Sequence, residues 1–307
     1  MERSLRNRLT FGPLMLAGLF GVLWFDSWAQ QWSRGKLPET VLNPEQGIGG
    51  IGIMLLLLAV LPIASAELAT LFSAEKVRPY LTISIAGSGL LTIHGFLTQF
   101  AKFKEIATST MAFIIVFVML FAALRRALVR ETQEAIHRMA GTVLATLYLG
   151  GLAWFLMALR VKHSHNPAHF NGSTSVILMI LLVVKSTDIG AYFGGRLLGR
   201  RKLIPWLSPG KTWEGLFCGV LLAGAIGAIW SHYINPPVYH LEWWKGFVFG
   251  VIIGGIGQLG DLLESMMKRD AEVKDSGALV PGFGGILDIM DSPLLAAPFA
   301  YLLFSLF

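Results

Sequence analysis

The chain has 307 residues, 54% of them hydrophobic and 14% charged, with a formal net charge of +6. A soluble domain carries about 25% charged residues, so a water-bathed fold of this length lacks the polar side chains to cover its surface. Apolar stretches recur from Leu9 to Phe307, which excludes a soluble domain with one anchor.

A helix crosses the hydrocarbon layer with about 20 apolar residues because it satisfies its own backbone hydrogen bonds there. Nine such spans are predicted, at about 9–25, 49–72, 79–97, 107–125, 139–159, 174–195, 212–231, 245–263 and 287–307. The first follows MERSLRNRLTFG and ends in WFDSW; a cleavable leader ends at a small-residue site, so this reads as a retained helix. Residues 26–48 read as a loop with room for a short interfacial helix carrying Trp28 and Trp32. The sixth span reads as irregular because it carries Lys185 and Asp188 before the Gly194-Gly195 pair, and the ninth contains Pro293 and Pro298, which predict a bend where it meets the membrane surface. Cys218 lies in an apolar span, which leaves no disulfide framework or thiolate metal site. The expected fold is all-α and polytopic, a single integral membrane domain over 1–307. Helices and loops at 1–173 precede catalytic helices and loops at 174–307.

Alternate loops differ in charge. One set holds 17 basic residues: Arg3, Arg6 and Arg8; Lys76 and Arg78; Arg125, Arg126, Arg130 and Arg138; Arg196, Arg200, Arg201, Lys202 and Lys211; Lys268, Arg269 and Lys274. The other holds seven: Arg34, Lys36, Lys102, Lys104, Arg160, Lys162 and Lys245. The excess predicts that the first set faces the cytoplasm of an inner or plasma membrane, with the N-terminus inside and the C-terminus outside. Topology and contact with anionic membrane lipids account for the positive charge. No soluble basic surface or aromatic-lined groove suggests nucleic-acid binding. Apolar helices suit lipid as well as a second copy, so monomer and homodimer both fit the sequence.

Two polar segments carry the chemistry: KSTDIGAYFGGRLLGRRKLIPWLSPGKTWEG at 185–215, and GQLGDLLESMMKRDAEVKDSGALVPGFGGILDIMD at 257–291. Asp261 and Glu264 are spaced to share a helical face at the end of the eighth span, and Asp288 and Asp291 repeat the spacing at the start of the ninth. Carboxylates near hydrocarbon are costly unless hydrated, paired or cation-bound, and their oxygens are the ligands Mg²⁺ prefers. Helix capping and interfacial solvation are the plainer explanation, strongest for Glu264. Asp188 beside Lys185 fits either a packing pair or a functional one. Gly282, Gly284 and Gly285 permit close approach of backbone N–H groups to an anion, while Lys268, Arg269 and Lys274 are suited to neutralising phosphate oxygens. SPGKTWEG lacks the upstream glycine of a phosphate loop. Its Ser208, Lys211 and Thr212 are candidate phosphate contacts, and Pro209-Gly210 alone predicts a turn.

Ser265, Lys268, Arg269, Lys274, Asp275, Gly277, Pro281, Gly284, Gly285, Asp288 and Asp291 together resemble the signature of the phosphatidate cytidylyltransferase family. Upstream, Lys185, Ser186, Asp188, Ala191, Tyr192, Gly195, Arg196, Gly199, Ser208, Pro209, Lys211, Thr212, Glu214 and Gly215 also match, and Asp261 stands at the family's acidic position before the signature. The matches cover approximately the last 120 residues. Phe283 replaces the family's His, Ile289 its Arg, and Val280 a usual Leu, Ile or Phe.

The resemblance implies a polytopic enzyme that converts CTP and phosphatidate to CDP-diacylglycerol and pyrophosphate. It implies Mg²⁺ and a paired-metal site at Asp261 and Asp288, with Glu264 and Asp291 as further acidic candidates and a second cation such as K⁺. Lys268, Arg269 and Lys274 carry over as catalytic candidates. Lys185, Asp188, Arg196, Ser208, Lys211, Thr212, Ser265, Asp275, Gly284 and Gly285 carry over as substrate-binding candidates. Two alternatives remain: a CTP-dependent enzyme acting on another lipid phosphate or on a polyprenol or phytol alcohol, and an ion-coupled transporter using Asp188, Asp261 and Asp288.

Overall fold

The computed structural model describes residues 2–43, 46–130, 132–162, 172–234 and 242–307. The side chains of Arg3 and Arg8, counted above among the basic residues, lie outside that description. The helices are α1 (Glu2–Ser33), α2 (Ile51–Ala74), α3 (Leu81–Leu97), α4 (Ala101–Leu128) and α5 (Ala135–Lys162), followed by α6 (Gly172–Leu198), α7 (Trp213–Tyr233), α8 (Trp243–Asp270) and α9 (Ile286–Leu306). Between α6 and α7, β1 (Lys202–Ile204) pairs antiparallel with β2 (Ser208–Thr212). Among the described residues, eight helices are long and apolar enough to cross a membrane, and α3 is a shorter apolar helix. The protein is therefore an integral, multi-pass α-helical membrane protein, as its hydropathy predicts.

Helix α1 differs from expectation: it does not give way to a loop at residue 26 but continues to Ser33. Asp26 is buried rather than wet, while Trp28 and Trp32 lie on the exposed side with ring centroids 6.4 Å apart. Helix α6 runs unbroken through Lys185, Asp188 and Gly194-Gly195, and α9 contains both of its prolines.

The chain forms two compact units. The first comprises Met1–His165 with Asp270–Ile289, and the second Asn166–Arg269 with Met290–Phe307.

In the first unit, Arg160 Nε donates to Asp26 Oδ2 at 2.5 Å and Arg160 Nη2 to Gln30 Oε1 at 2.8 Å. Gly52 N donates to the other Asp26 oxygen at 2.8 Å, so one carboxylate ties α1 to α5 and to the start of α2. A buried charge needs this degree of pairing. Arg160 is thus an internal structural residue rather than a loop charge. Removing it leaves six basic residues in the minor set against 17, which sharpens the loop asymmetry. Ile83, Val118 and Ala122 form a core between α3 and α4.

The second unit packs through glycine. A side chain at Gly190 would meet the Gly219 Cα at 2.8 Å, so α6 and α7 touch backbone to backbone. Gly224, Gly227, Gly246 and Gly250 play the same part between α7 and α8. Small residues of this kind let helices approach closely where hydrocarbon supplies no hydrophobic drive.

Candidate active site

In the second unit, the acidic group is assembled by a close helix contact. A Cβ at Gly260 would lie 3.0 Å from the Ser292 Cα and 3.1 Å from the Asp291 carbonyl oxygen, so α8 can approach α9 here only without a side chain. One helical turn of α8 around that point carries Asp261 and Glu264, and α9 carries Asp291. The three residues offer carboxylate oxygens that all lie within 4.8 Å of one another. Glu264 and Asp291 are buried and Asp261 half-buried. Among the described residues this is the group of carboxylate, imidazole and thiol side chains with geometry to hold a metal ion.

The β1–β2 hairpin delivers a lysine to the same place. Glu214, in the first turn of α7, accepts from Arg200 N at 3.1 Å and Arg201 N at 3.2 Å, closing the base of the hairpin. Thr212 caps α7 by accepting from Gly215 N at 3.1 Å. Lys211, between these fixed points, donates to Gln258 Oε1 at 3.0 Å and forms an ion pair with Asp261. Gln258 Nε2 donates to Asp188 Oδ1 at 2.6 Å, and Asp188 pairs with Lys185 at 3.6 Å. Lys268 Nζ lies 3.1 Å from Glu264 Oε2.

The network contains four carboxylates, Asp188, Asp261, Glu264 and Asp291, and three ammonium groups, Lys185, Lys211 and Lys268. Two unit charges about 4 Å apart interact by roughly 4 kcal/mol at an effective dielectric constant near 20. Three clustered carboxylates therefore favour a cation beyond the lysines. All-oxygen donors on two rigid helices, with exposure at Asp261, fit Mg²⁺ by the chemistry of the donor set.

The other predicted residues divide between the units. In the second, Arg196 reaches Tyr192 Oη at 3.5 Å on the exposed face of α6. Ser208 starts β2, Ser265 is half-buried on α8, and Arg269 is exposed at its end. Thr212 uses its hydroxyl as a helix cap.

Lys274, Asp275, Gly284, Gly285 and Asp288 belong to the first unit. Lys274 and Asp275 are exposed in the loop after α8. Gly282 and Gly284 have φ of 90° and 98°, a left-handed backbone that glycine adopts readily. They turn the chain back so that Val280 and Gly284 bridge. Gly285 N donates to Asp288 Oδ2 at 2.7 Å, and Ser276 donates to the same oxygen from its N at 3.0 Å and its Oγ at 2.9 Å. The amide of Gly285 thus meets the protein's own carboxylate. Phe283 stands where the family has His, and its ring lies beside α1: a Cβ at Gly12 would meet its Cζ at 3.4 Å. An apolar contact occupies the position of a hydrogen-bonding group.

Sequence reasoning missed Gln258, Glu67 and Ser276. Gln258 is an isolated amide in an apolar, glycine-rich helix three residues before Asp261. Glu67 is the sole charge in α2. Each anomaly marked a residue with internal partners, though neither named them.

These observations define a polytopic helical membrane protein with a carboxylate cluster set among lysines. The sequence profile of the cytidylyltransferase family matches residues 47–307, and the chain belongs to that family. The match extends well upstream of the resemblance seen in the last 120 residues. A phosphatidate cytidylyltransferase of Bacillus subtilis is 34% identical over 240 residues, covering 77% of this chain and 85% of that relative. One of Haemophilus influenzae is 42% identical over 146 residues, covering 47% of this chain and 50% of the relative. One of Synechocystis is 45% identical over 139 residues, covering 44% and 45% respectively. The aligned stretch thus spans about half the length of the latter two relatives.

Proposed function

We propose that the protein transfers a cytidylyl group from CTP to phosphatidate, forming CDP-diacylglycerol and releasing pyrophosphate. The convergence of Asp261, Glu264 and Asp291 with Lys211 carries this reading, because it joins the two polar segments that match the family within one network. The relatives' names supply the substrates. A lipid phosphate oxygen attacks the α-phosphorus of CTP, the bond to the β-phosphate oxygen breaks, and pyrophosphate leaves. The nucleophile is already a phosphate, so no covalent enzyme intermediate is required.

Asp261, Glu264 and Asp291 would hold Mg²⁺; the family resemblance implies a paired-metal site at Asp261 and Asp288 and a second cation such as K⁺. A bound divalent cation would supply charge stabilisation at the phosphate oxygens of the cytidylyl group being transferred and of the departing pyrophosphate. Within the second unit Lys211, Lys268 and Arg269 bind and neutralise phosphate oxygens, an effect strongest where water is excluded; Lys274 is a catalytic candidate by the family resemblance alone. Gln258 fixes Lys211 and Asp188 relative to each other. The loop asymmetry supports a site on the cytoplasmic side of an inner or plasma membrane, where CTP arrives in water while acyl chains stay in lipid.

The test is purified protein in phosphatidate-containing micelles with labelled CTP and Mg²⁺, assayed for pyrophosphate and liponucleotide. Both products are expected in equal amount. Asp261→Asn and Asp291→Asn should each lower turnover at least about 100-fold, roughly 2.7 kcal/mol of barrier, while remaining monodisperse in detergent. Absence of product across a series of cations and lipid phosphates overturns the assignment. Transfer of the terminal phosphoryl group to a lipid alcohol identifies the kinase alternative.

A further inference from the structure

Glu67 sits within α2, a run from Ile51 to Ala74 that carries no other charge, and is 9% exposed. A carboxylate in such surroundings is unfavourable without donors. The donors come from the far end of the sequence. Glu67 Oε1 accepts from Ile286 N at 3.1 Å and Oε2 accepts from Leu287 N at 2.8 Å. These are the first two residues of α9, where backbone N–H groups have no partner inside the helix and the helix dipole favours negative charge. Ser276 Oγ lies 3.4 Å from Glu67 Oε2 and donates to the nearer Asp288 Oδ2 at 2.9 Å.

Two glycines of the signature make room for this carboxylate. A Cβ at Gly277 would lie 2.5 Å from Glu67 Oε1, and one at Gly285 2.5 Å from Glu67 Oε2. Both sides of the turn 277–285 therefore close on Glu67. Ser276 and Gly285, held there, are the same residues whose N–H and O–H groups orient the Asp288 carboxylate.

We infer that Glu67 is the positioning residue of the signature loop: it fixes residues 276–287, and through Ser276 and Gly285 it sets the orientation of Asp288. The inference rests on the proposed cytidylyl transfer for the role of Asp288, but not for the holding of the loop. It assigns a function to α2, which lies outside both polar segments. Two signature glycines then serve an internal carboxylate rather than the substrate.

The test combines kinetics with limited trypsin digestion of full-length protein in detergent. Lys274 lies exposed in the loop that Glu67 holds, and Lys202 lies exposed in the β hairpin, which serves as a control. In Glu67→Ala, cleavage after Lys274 should accelerate at least about fivefold with cleavage after Lys202 unchanged. Turnover should fall about 10- to 100-fold, the range for groups that orient catalytic ligands, with KM for CTP within about threefold of wild type. Glu67→Gln keeps one acceptor oxygen and should fall between wild type and Ala in both measurements. Wild-type cleavage at Lys274 in the Ala variant overturns the inference. So does equal acceleration at Lys202, which signals general loosening, and so does faster loop cleavage with unchanged turnover. If the wild-type protein makes no liponucleotide, the proposed function fails instead, and cleavage after Lys274 alone decides whether Glu67 holds the loop.

Discussion

Arg160 heads the largest fully buried side chains among the described residues, and its guanidinium is satisfied by Asp26 and Gln30. Removing one member of a buried pair leaves the other uncompensated, at a cost of about 3–5 kcal/mol. Arg160→Met should therefore lower the midpoint of thermal unfolding in detergent sharply, whereas adding Asp26→Leu to it should recover most of the loss; a single variant as stable as wild type contradicts the pairing. Neither residue was legible as a partner, because 134 positions separate them and both stand near the predicted ends of apolar spans. The carboxylates were more legible. Asp261 and Glu264 share a face by spacing alone, while the convergence of Asp291 depends on the absence of a side chain at Gly260, a tertiary fact. Asp288 has the same spacing from Asp291, yet its carboxylate accepts from Ser276 and Gly285.

At the scale of elements, glycine placement decides which helices can touch. A Cβ at Gly219 would lie 2.5 Å from the Thr187 carbonyl oxygen and 3.0 Å from Ala191 N, whereas one at Gly21 would meet nothing within 4 Å. Gly219→Val should force α6 and α7 apart and cost about 2–3 kcal/mol, read as a lower unfolding midpoint and loss of the monodisperse species. Gly21→Ala should stay within about 0.5 kcal/mol of wild type. Hydropathy located each helix because a span of apolar residues has a required length. It placed the end of α1 too early because Asp26 and Ser27 read as polar punctuation, although both are buried with partners inside the protein. The β hairpin also escaped the sequence reading, which took Pro209-Gly210 only as a turn.

For the whole molecule, loop charge predicts sidedness. In a Cys218→Ser background, a membrane-impermeant maleimide should label Lys274→Cys only when the cytoplasmic face is exposed and Lys102→Cys only when the opposite face is; the reverse pattern rejects the orientation. Eight of the nine predicted spans fall on helices long and apolar enough to cross a membrane, while the third falls on α3, a shorter apolar helix of 17 residues. The division into two units was not legible, since residues 270–289 cluster with the first 165 rather than with the helices they join. That grouping has a consequence in time. The donors to Glu67 lie 209 to 220 residues downstream, and a ribosome adding about 5–20 residues per second delivers them roughly 10–45 s after Glu67 itself. Until then α2 carries its carboxylate through insertion without the groups that later surround it. A nascent chain halted before Ser276 therefore exposes the membrane's quality-control proteases to an unmatched acid, and its survival should depend on residue 67.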